Sequence, residues 1–375
     1  MIPRILEQNI QKWLFKDKII IITGARQVGK TTLIKKIIDN LNIESLFLNG
    51  DDSITKKLFE APSVTNFRNL IGNSKLLFID EAQRIENIGI CLKLIYDNFP
   101  NVQTIVSGSS ALEIADKIFE PLTGRHFLYH LYPFTMNELY SNNYLKFTEN
   151  LNWHLVYGCY PDVVNHQFDA KKYLKSIANS YLYKDVLSWK DIRKPELLDK
   201  LLQLIAFQLG SEVSVNELAN QLKVKSETVE SYLDLLEKSF VIFRLKSYAT
   251  NERKEVTKMK KIYFWDVGIR NAIIDNFKPI EARTDIGVLF ENFVIADRIK
   301  TNQYNENDIK PYFWRSLQKQ EVDYVEYFEN KLSGFEIKWN PKNKITKSFQ
   351  NLYPDSTANI IHPNNLYNFL IHNEF

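Results

Sequence analysis

Cysteine is nearly absent: Cys91 and Cys159 are the only two among 375 residues, far apart and outside any CxxC spacing. That scarcity excludes a disulfide framework and a thiolate zinc site, and it fits a reducing cytoplasm. Long apolar runs are missing too, and none reaches the ~20 residues that cross a bilayer. The N-terminus lacks the continuous apolar stretch of a signal peptide. Leu6, Ile10, Trp13 and Leu14 instead fall at helical spacing, with Glu7, Gln8 and Lys12 between them. The chain therefore reads as cytoplasmic and soluble, with no membrane partner. Neither sign of charge dominates: Lys and Arg number 48 against 45 Asp and Glu, a formal net charge of +3. Such a balance neither demands nor excludes a nucleic-acid partner.

Glycine is scarce as well, 12 in all, which gives weight to two that stand in one pattern. Gly24-Ala25-Arg26-Gln27-Val28-Gly29-Lys30-Thr31 matches G-x-x-x-x-G-K-[ST] in full. By average usage, a chance match somewhere in the chain is on the order of a per cent or less. A β-branched apolar stretch, 18–23, precedes the motif and a helical pattern opens at Lys30, the strand–loop–helix setting that a phosphate cradle requires. Gly24 and Gly29 permit backbone angles that aim successive N–H groups, from Ala25 through Thr31 and Thr32, at phosphate oxygens. Lys30 is expected to reach the β- and γ-phosphates of ATP, and the Thr31 hydroxyl to ligate Mg²⁺.

A second apolar run, Leu76-Leu77-Phe78-Ile79, ends in Asp80-Glu81. A buried strand would carry these carboxylates to its tip, beside the cradle. Asp80 is then expected to orient the Mg²⁺ shell, and Glu81 to take the proton from attacking water.

Three segments follow from the periodicity. Over 1–155, strands expected at 18–23, 45–49, 75–80, 103–107 and 126–131 alternate with helices, which predicts a parallel sheet covered on both faces. Over 156–258 the pattern is almost wholly helical. Two helices, 215–222 and 226–237, are separated by Lys223-Val224-Lys225 and followed by a strand, as in a winged helix-turn-helix. Over 259–375 the reading returns to mixed α/β. The expected fold class is thus α/β: a P-loop parallel-sheet core, a helical winged helix-turn-helix domain and a mixed α/β domain.

These motifs, with Phe-Ile-Asp-Glu-Ala-Gln-Arg at 78–84, Val-Ser-Gly-Ser-Ser at 106–110, Leu-Thr-Gly-Arg at 122–125, Leu-Tyr-Pro-Phe-Thr-Met-Asn-Glu-Leu at 131–139 and Gly-Cys-Tyr-Pro at 158–161, resemble a family of bacterial and archaeal AAA-type ATPases. The resemblance spans the chain. It implies an AAA-type core in which one further strand, here 103–107, lies between those bearing the two motifs. It also implies that Ser107 or Ser109 senses the γ-phosphate, and that Arg125 is contributed to the ATP of a neighbouring subunit or partner.

The helix-turn-helix raises the question of DNA. Its second helix carries Glu227, Glu230, Asp234 and Glu237, and an acidic face is repelled by phosphates. The segment 251–261 holds Arg253, Lys254, Lys258, Lys260 and Lys261, so any DNA contact is expected there; a solvated loop is the plain alternative.

Near the C-terminus, Glu321-Val322-Asp323 precedes Glu336-Ile337-Lys338. Residues two apart on a strand share a face, so Glu336 and Lys338 project together. Asp323 beside this Glu-x-Lys strand, with Glu291 on a preceding helix, resembles PD-(D/E)xK nucleases of the restriction-endonuclease fold. The resemblance implies a metal held by Glu291, Asp323 and Glu336, with Lys338 positioning water. A cross-strand ion pair is the structural alternative. Three functions stay open at this point: an Mg²⁺-dependent ATPase acting on or near DNA, a nucleotide-controlled switch with a non-catalytic C-terminal scaffold, and an ATP-regulated nuclease.

Overall fold

The structure is a computed structural model that describes residues 2–109, 120–181, 195–249, 260–316, 318, 320–340 and 347–372. The chain divides into two compact units, Met1–Tyr132 with Lys238–Phe240, and Pro133–Glu237 with Val241–Phe375.

The first unit runs α1 (Ile5–Trp13), β1 (Ile19–Thr23), α2 (Lys30–Leu41), β2 (Ser45–Asn49), α3 (Ser53–Glu60), α4 (Val64–Ile71), β3 (Leu76–Asp80), α5 (Ile88–Asn98), β4 (Gln103–Gly108) and β5 (His126–His130). The sheet order is β2-β3-β4-β1-β5, and every pair is parallel. A parallel sheet needs crossovers that bury both faces, which is why β1 and β3 are buried at every position. Ile21, Leu77, Ile79 and Val106 form one side of the core with Phe59, Phe67, Ile88 and Leu92 from the helices. As expected, β4 lies between the strands that carry the two motifs.

The second unit continues with α6 (Met136–Tyr140), α7 (Tyr144–Tyr157), α8 (Pro161–Asn165), α9 (Ala170–Tyr181), α10 (Pro195–Phe207), β6 (Glu212–Val213), α11 (Val215–Leu222), α12 (Ser226–Lys238), β7 (Ile242–Ser247), β8 (Lys260–Phe264), α13 (Val267–Ile273), α14 (Ile286–Tyr304), β9 (Lys310–Arg315), β10 (Glu321–Phe328), β11 (Lys331–Ile337), α15 (Lys347–Leu352) and β12 (Thr357–Ile361). One sheet, ordered β12-β11-β10-β9-β7-β8-β6, runs through it.

Two long-range connections run through the second unit. Residues 133–155 pack with the second unit, because the Met136 N–H donates to Asp297 at 2.9 Å and Tyr367 donates to the Ser141 carbonyl at 3.1 Å. β7 pairs in parallel with β9 through Lys246–Tyr312 and Ser247–Phe313, so the free edge of the short hairpin is taken up by the C-terminal strands. The helical pattern of the sequence also covers 173–189; the structure describes it only as far as Tyr181, and the remainder lies outside the described residues.

The long helix α14 explains how these strands are held. Its buried residues include Glu291, Asn292, Asp297, Arg298 and Asn302, and buried polar groups require partners. Asn292 both donates to and accepts from the Phe264 backbone at 2.7 and 2.9 Å. Arg298 donates to Glu326 at 2.7 and 3.0 Å and to the Phe369 carbonyl at 2.8 Å. Among the described residues no helix is long and apolar enough to cross a membrane.

Candidate functional site

The glycine loop leaves β1 at Thr23 and turns sharply. A Cβ at Gly24 would lie 2.1 Å from the Leu131 carbonyl oxygen, so only glycine fits between β1 and the end of β5. Gln27 and Gly29 both take positive φ, +60° and +94°, which turns the chain back so that Gly29 caps α2. Positive φ is inexpensive for glycine. Ala25 and Val28 are buried, Arg26 and Thr31 are half-buried, and Gln27 and Thr32 are exposed. The Lys30 ammonium donates to the carbonyls of Gly24 and Ala25, each at 2.8 Å. The lysine thus spans the loop from within, at 6% exposure.

Asp80 and Glu81 meet this loop across β4. The Thr31 hydroxyl donates to Asp80 Oδ2 at 2.6 Å. Ser107, on β4, donates to Asp80 Oδ1, and the Glu81 N–H reaches the same oxygen at 3.1 Å. Glu81 sits in the left-handed region at φ +49°, which turns its side chain out of the strand direction. Gln83 Nε2 donates to Glu81 Oε2 at 2.6 Å and lies 3.1 Å from Ser109 Oγ. Ser109 donates to the same Glu81 oxygen at 3.4 Å. The two serines divide the work: Ser107 serves Asp80, and Ser109 serves Glu81. Gln83 was not singled out from the sequence. The available signal was its place two residues after Glu81, within one short turn.

A hydroxyl beside a carboxylate, at the mouth of a helix N-terminus, is the donor set that Mg²⁺ with a nucleotide triphosphate takes. The loop residues therefore fit both groups. Arg125 stands elsewhere. Its carbonyl accepts the Ile19 N–H at 2.9 Å, at the end of β1 opposite the loop, and its side chain pairs with Asp97 at 3.2 Å. Within one chain, Arg125 is not brought to the cradle.

In the second unit the nuclease-like residues do gather. Lys338 Nζ lies 2.7 Å from Asp323 Oδ2, and the Ile337 N–H donates to that oxygen at 2.8 Å. Glu291 Oε1 accepts from Tyr263 at 2.6 Å and from Lys261 at 3.2 Å. Burial first, and the Asp323 charge second, push the Glu291 carboxyl up to about 7. The carboxylates of Asp323, Glu291 and Glu336 outweigh burial at Lys338 and hold its ammonium above the ordinary lysine value. Among the described residues, no group of three or more His, Cys, Asp and Glu is placed to hold a metal ion. Of the expected trio, Glu291 Oε1 and Asp323 Oδ2 each accept from two protein donors, and Glu336 is buried.

Two readings of the helix-turn-helix change. Three of the four acidic residues of α12 are drawn to one cation: Arg244 on β7 reaches Glu230 at 2.8 Å, Glu237 at 2.7 Å, and Asp234. Lys261, expected among the DNA-facing cations, is 1% exposed and buried in ion pairs. It belongs to the acidic cluster because alternation along β8 turns it inward with Tyr263. Arg253, Lys254 and Lys258 lie outside the described residues.

Residues 16–140 match the family model described as an AAA domain. Residues 148–279 and 286–371 match two models described as domains of unknown function. The chain is similar to an uncharacterized protein of Mycobacterium tuberculosis, 26% identical over 352 residues, which cover 92% of this chain and 76% of that one. It is also similar to an uncharacterized protein of Methanocaldococcus jannaschii, 28% identical over 337 residues, 77% of this chain and 70% of that one. Among solved structures, a Walker-type ATPase of Pyrococcus abyssi is similar at TM-score 0.49 and 14% identity, over 73% of this chain and 96% of that one. The RuvB Holliday junction branch migration motor of Thermotoga maritima is similar at TM-score 0.34 and 19% identity, over 64% of this chain and 88% of that one. The match of residues 16–140 to an AAA domain and the loop built within that stretch support nucleotide hydrolysis.

Proposed function

We propose that this chain binds and hydrolyses ATP with Mg²⁺ and works on or near DNA in the cytoplasm. The observation that carries the first half is the Thr31–Asp80 bond at 2.6 Å, closing the cradle against the second motif. ATP would lie with its phosphates over the loop N–H groups of residues 25–32. Lys30, which now donates to the loop carbonyls of Gly24 and Ala25, would reach the β- and γ-phosphates, and Thr31 with Asp80 would hold the metal. When bound, Mg²⁺ supplies neutralisation of charge at the β- and γ-phosphates. Glu81 accepts a proton from water, with Ser109 and Gln83 fixing which way its carboxylate points. Arg125 completes the charge stabilisation on a neighbour's nucleotide, in a homo-oligomer or with a protein partner.

For the second half, the order α10-β6-α11-α12-β7-β8, with β8 between β6 and β7, supports a winged helix-turn-helix. We assign the cations of the basic segment at 251–260 as the DNA-proximal element, with the helix-turn-helix itself serving as an ATPase lid or protein interface. The C-terminal strands with α14 form the nuclease-like part.

A second reading, a nucleotide-controlled switch whose C-terminal part is a non-catalytic scaffold, is favoured by the Asp323–Lys338 pair at 2.7 Å. One experiment separates these. ATP turnover and plasmid cleavage are measured with Mg²⁺ or Mn²⁺ for the full chain and for Lys30→Ala, Glu81→Gln and Asp323→Ala. ATP turnover that survives Lys30→Ala sinks the ATPase reading. Cleavage lost in Asp323→Ala sinks the scaffold reading.

A further inference from the structure

The acidic cluster of the second unit contains its own cation. Lys261 Nζ, on β8, lies 3.2 Å from Glu291 Oε1 on α14 and pairs with Glu321 Oε1 at the start of β10. Tyr263 projects on the same side of β8 and donates to the same Glu291 oxygen at 2.6 Å. Asp323, two residues after Glu321 and on its face of β10, is held by Lys338 at 2.7 Å and by the Ile337 N–H at 2.8 Å. Arg315 Nε stands 3.7 Å from the other Glu321 oxygen. Lys261 and Tyr263 are almost wholly buried, at 1% and 0% exposure.

A divalent ion between carboxylates needs oxygen lone pairs free at roughly 2.0–2.6 Å. Here the Glu291 oxygen that faces the cluster already accepts two protein donors. An incoming metal would also meet a buried ammonium of like charge. Burial pulls the Lys261 pKa down, but Glu291, Asp323 and Glu321 outweigh it and keep the ammonium charged. The residues present therefore do not fit the metal that the nuclease resemblance implies.

We propose that Lys261 is the resident cation of this cluster, occupying the place of a divalent metal and tying β8, α14 and β10 together without metal-dependent chemistry. This rests on the scaffold reading of the C-terminal part and is independent of ATP hydrolysis. It makes Lys261 a substitute for a metal, and it makes the cluster a latent cation site that a single substitution opens.

The test uses the full chain, free of nucleotide, and Mn²⁺ alone as the probe, with bound Mn²⁺ counted by electron paramagnetic resonance. Wild type and Asp323→Asn should bind the same amount, because the cluster takes none. Lys261→Met should gain an added equivalent of Mn²⁺ and a Tm that rises with Mn²⁺, and both gains should vanish in Lys261→Met/Asp323→Asn. A wild-type equivalent that Asp323→Asn loses, without plasmid cleavage, overturns the proposal and leaves the scaffold reading standing. The same loss accompanied by Asp323-dependent cleavage overturns both. A folded Lys261→Met that gains no Mn²⁺ also overturns the proposal. If Lys261→Met does not fold, the comparison of wild type with Asp323→Asn still decides it.

Discussion

The Thr31 hydroxyl donates to Asp80 Oδ2 at 2.6 Å, joining the first turn of α2 to the tip of β3. The two residues lie on either side of β4, which supplies Ser107 to the other oxygen of the same carboxylate. This bond positions a neutral donor and an anion side by side where a metal shell is to form. Thr31→Ala removes the donor and a metal ligand together, whereas Thr31→Ser keeps both. We expect Thr31→Ala to lower ATP turnover by about 10²-fold, the usual scale for losing one charge-stabilising contact, and to raise the Mg²⁺ concentration needed for half-maximal rate. Thr31→Ser should stay near wild type. Steady-state rates across a Mg²⁺ titration read the effect, and an unchanged Mg²⁺ requirement in Thr31→Ala would remove Thr31 from the metal site.

Gln83 acts through Glu81. Its amide donates to Glu81 Oε2 at 2.6 Å while lying 3.1 Å from Ser109 Oγ. Glu81→Gln should lower kcat by about 10²–10⁴-fold, the range of general-base loss. Gln83→Ala should lower kcat by about 10-fold with the KM for ATP unchanged, since the pair acts on chemistry and not on binding. If Gln83 only positions Glu81, the double variant is no slower than Glu81→Gln alone. Additive losses in that cycle would mean that Gln83 touches the nucleotide by its own route.

Much of the first unit was legible because its signals are local. The β-branched stretch ending at Thr23, the glycine pattern and the apolar run ending at Asp80 each dictate one element, and the parallel order follows from alternation of strand and helix. What the sequence concealed was pairing over distance. Nothing near Arg244 announces that it draws in Glu230, Asp234 and Glu237, so α12 read as a repulsive face. Lys261 read as part of a basic stretch because composition counts charges without their direction. Only the pleat of β8 and the position of α14 turn it toward Glu291. The β7–β9 pairing through Lys246 and Ser247 was hidden for the same reason, since its two strands lie far apart in the sequence.

Arg244 offers a stability test of that concealed pairing. Its side chain is 12% exposed, while those of Glu230, Asp234 and Glu237 are 44%, 44% and 33% exposed. Partial exposure screens the carboxylates and reduces the value of each pair. Removing the shared cation nevertheless leaves three like charges along one side of α12. Arg244→Met should therefore cost about 1–3 kcal/mol, below the cost of breaking a fully buried pair. The loss should be larger at low ionic strength, and Glu237→Gln placed on top of it should restore part of the difference. Urea unfolding at two salt concentrations measures this. A loss independent of salt, with no recovery in the double variant, would assign the effect to packing of the arginine stem.

Asp297 sets a pH dependence whose sign is fixed by burial. It lies on α14 at 1% exposure. Its Oδ2 accepts the Met136 N–H at 2.9 Å, and its Oδ1 has no hydrogen-bond partner among the described residues. Burial, the largest cause, raises its pKa from 3.8 to about 6; the Glu138 charge adds to this, while Lys300 and the Met136 amide oppose it. A folded-state pKa above the unfolded one means that the folded protein holds the proton more tightly. The resulting stabilisation is fully present below about pH 3.8 and is lost as pH rises through about 6. Asp297→Asn keeps a carbonyl for the Met136 amide and carries no charge at any pH, so it escapes that loss. The variant should gain on wild type between pH 4 and 6, reaching a difference on the order of 2–3 kcal/mol above pH 7. Glu291, also raised to about 7, titrates in both proteins, and subtracting one stability curve from the other removes it. Chemical denaturation of both proteins at pH 5, 6, 7 and 8 supplies the comparison. Parallel curves would mean that Asp297 is already compensated when charged, with its second oxygen satisfied by an ordered water.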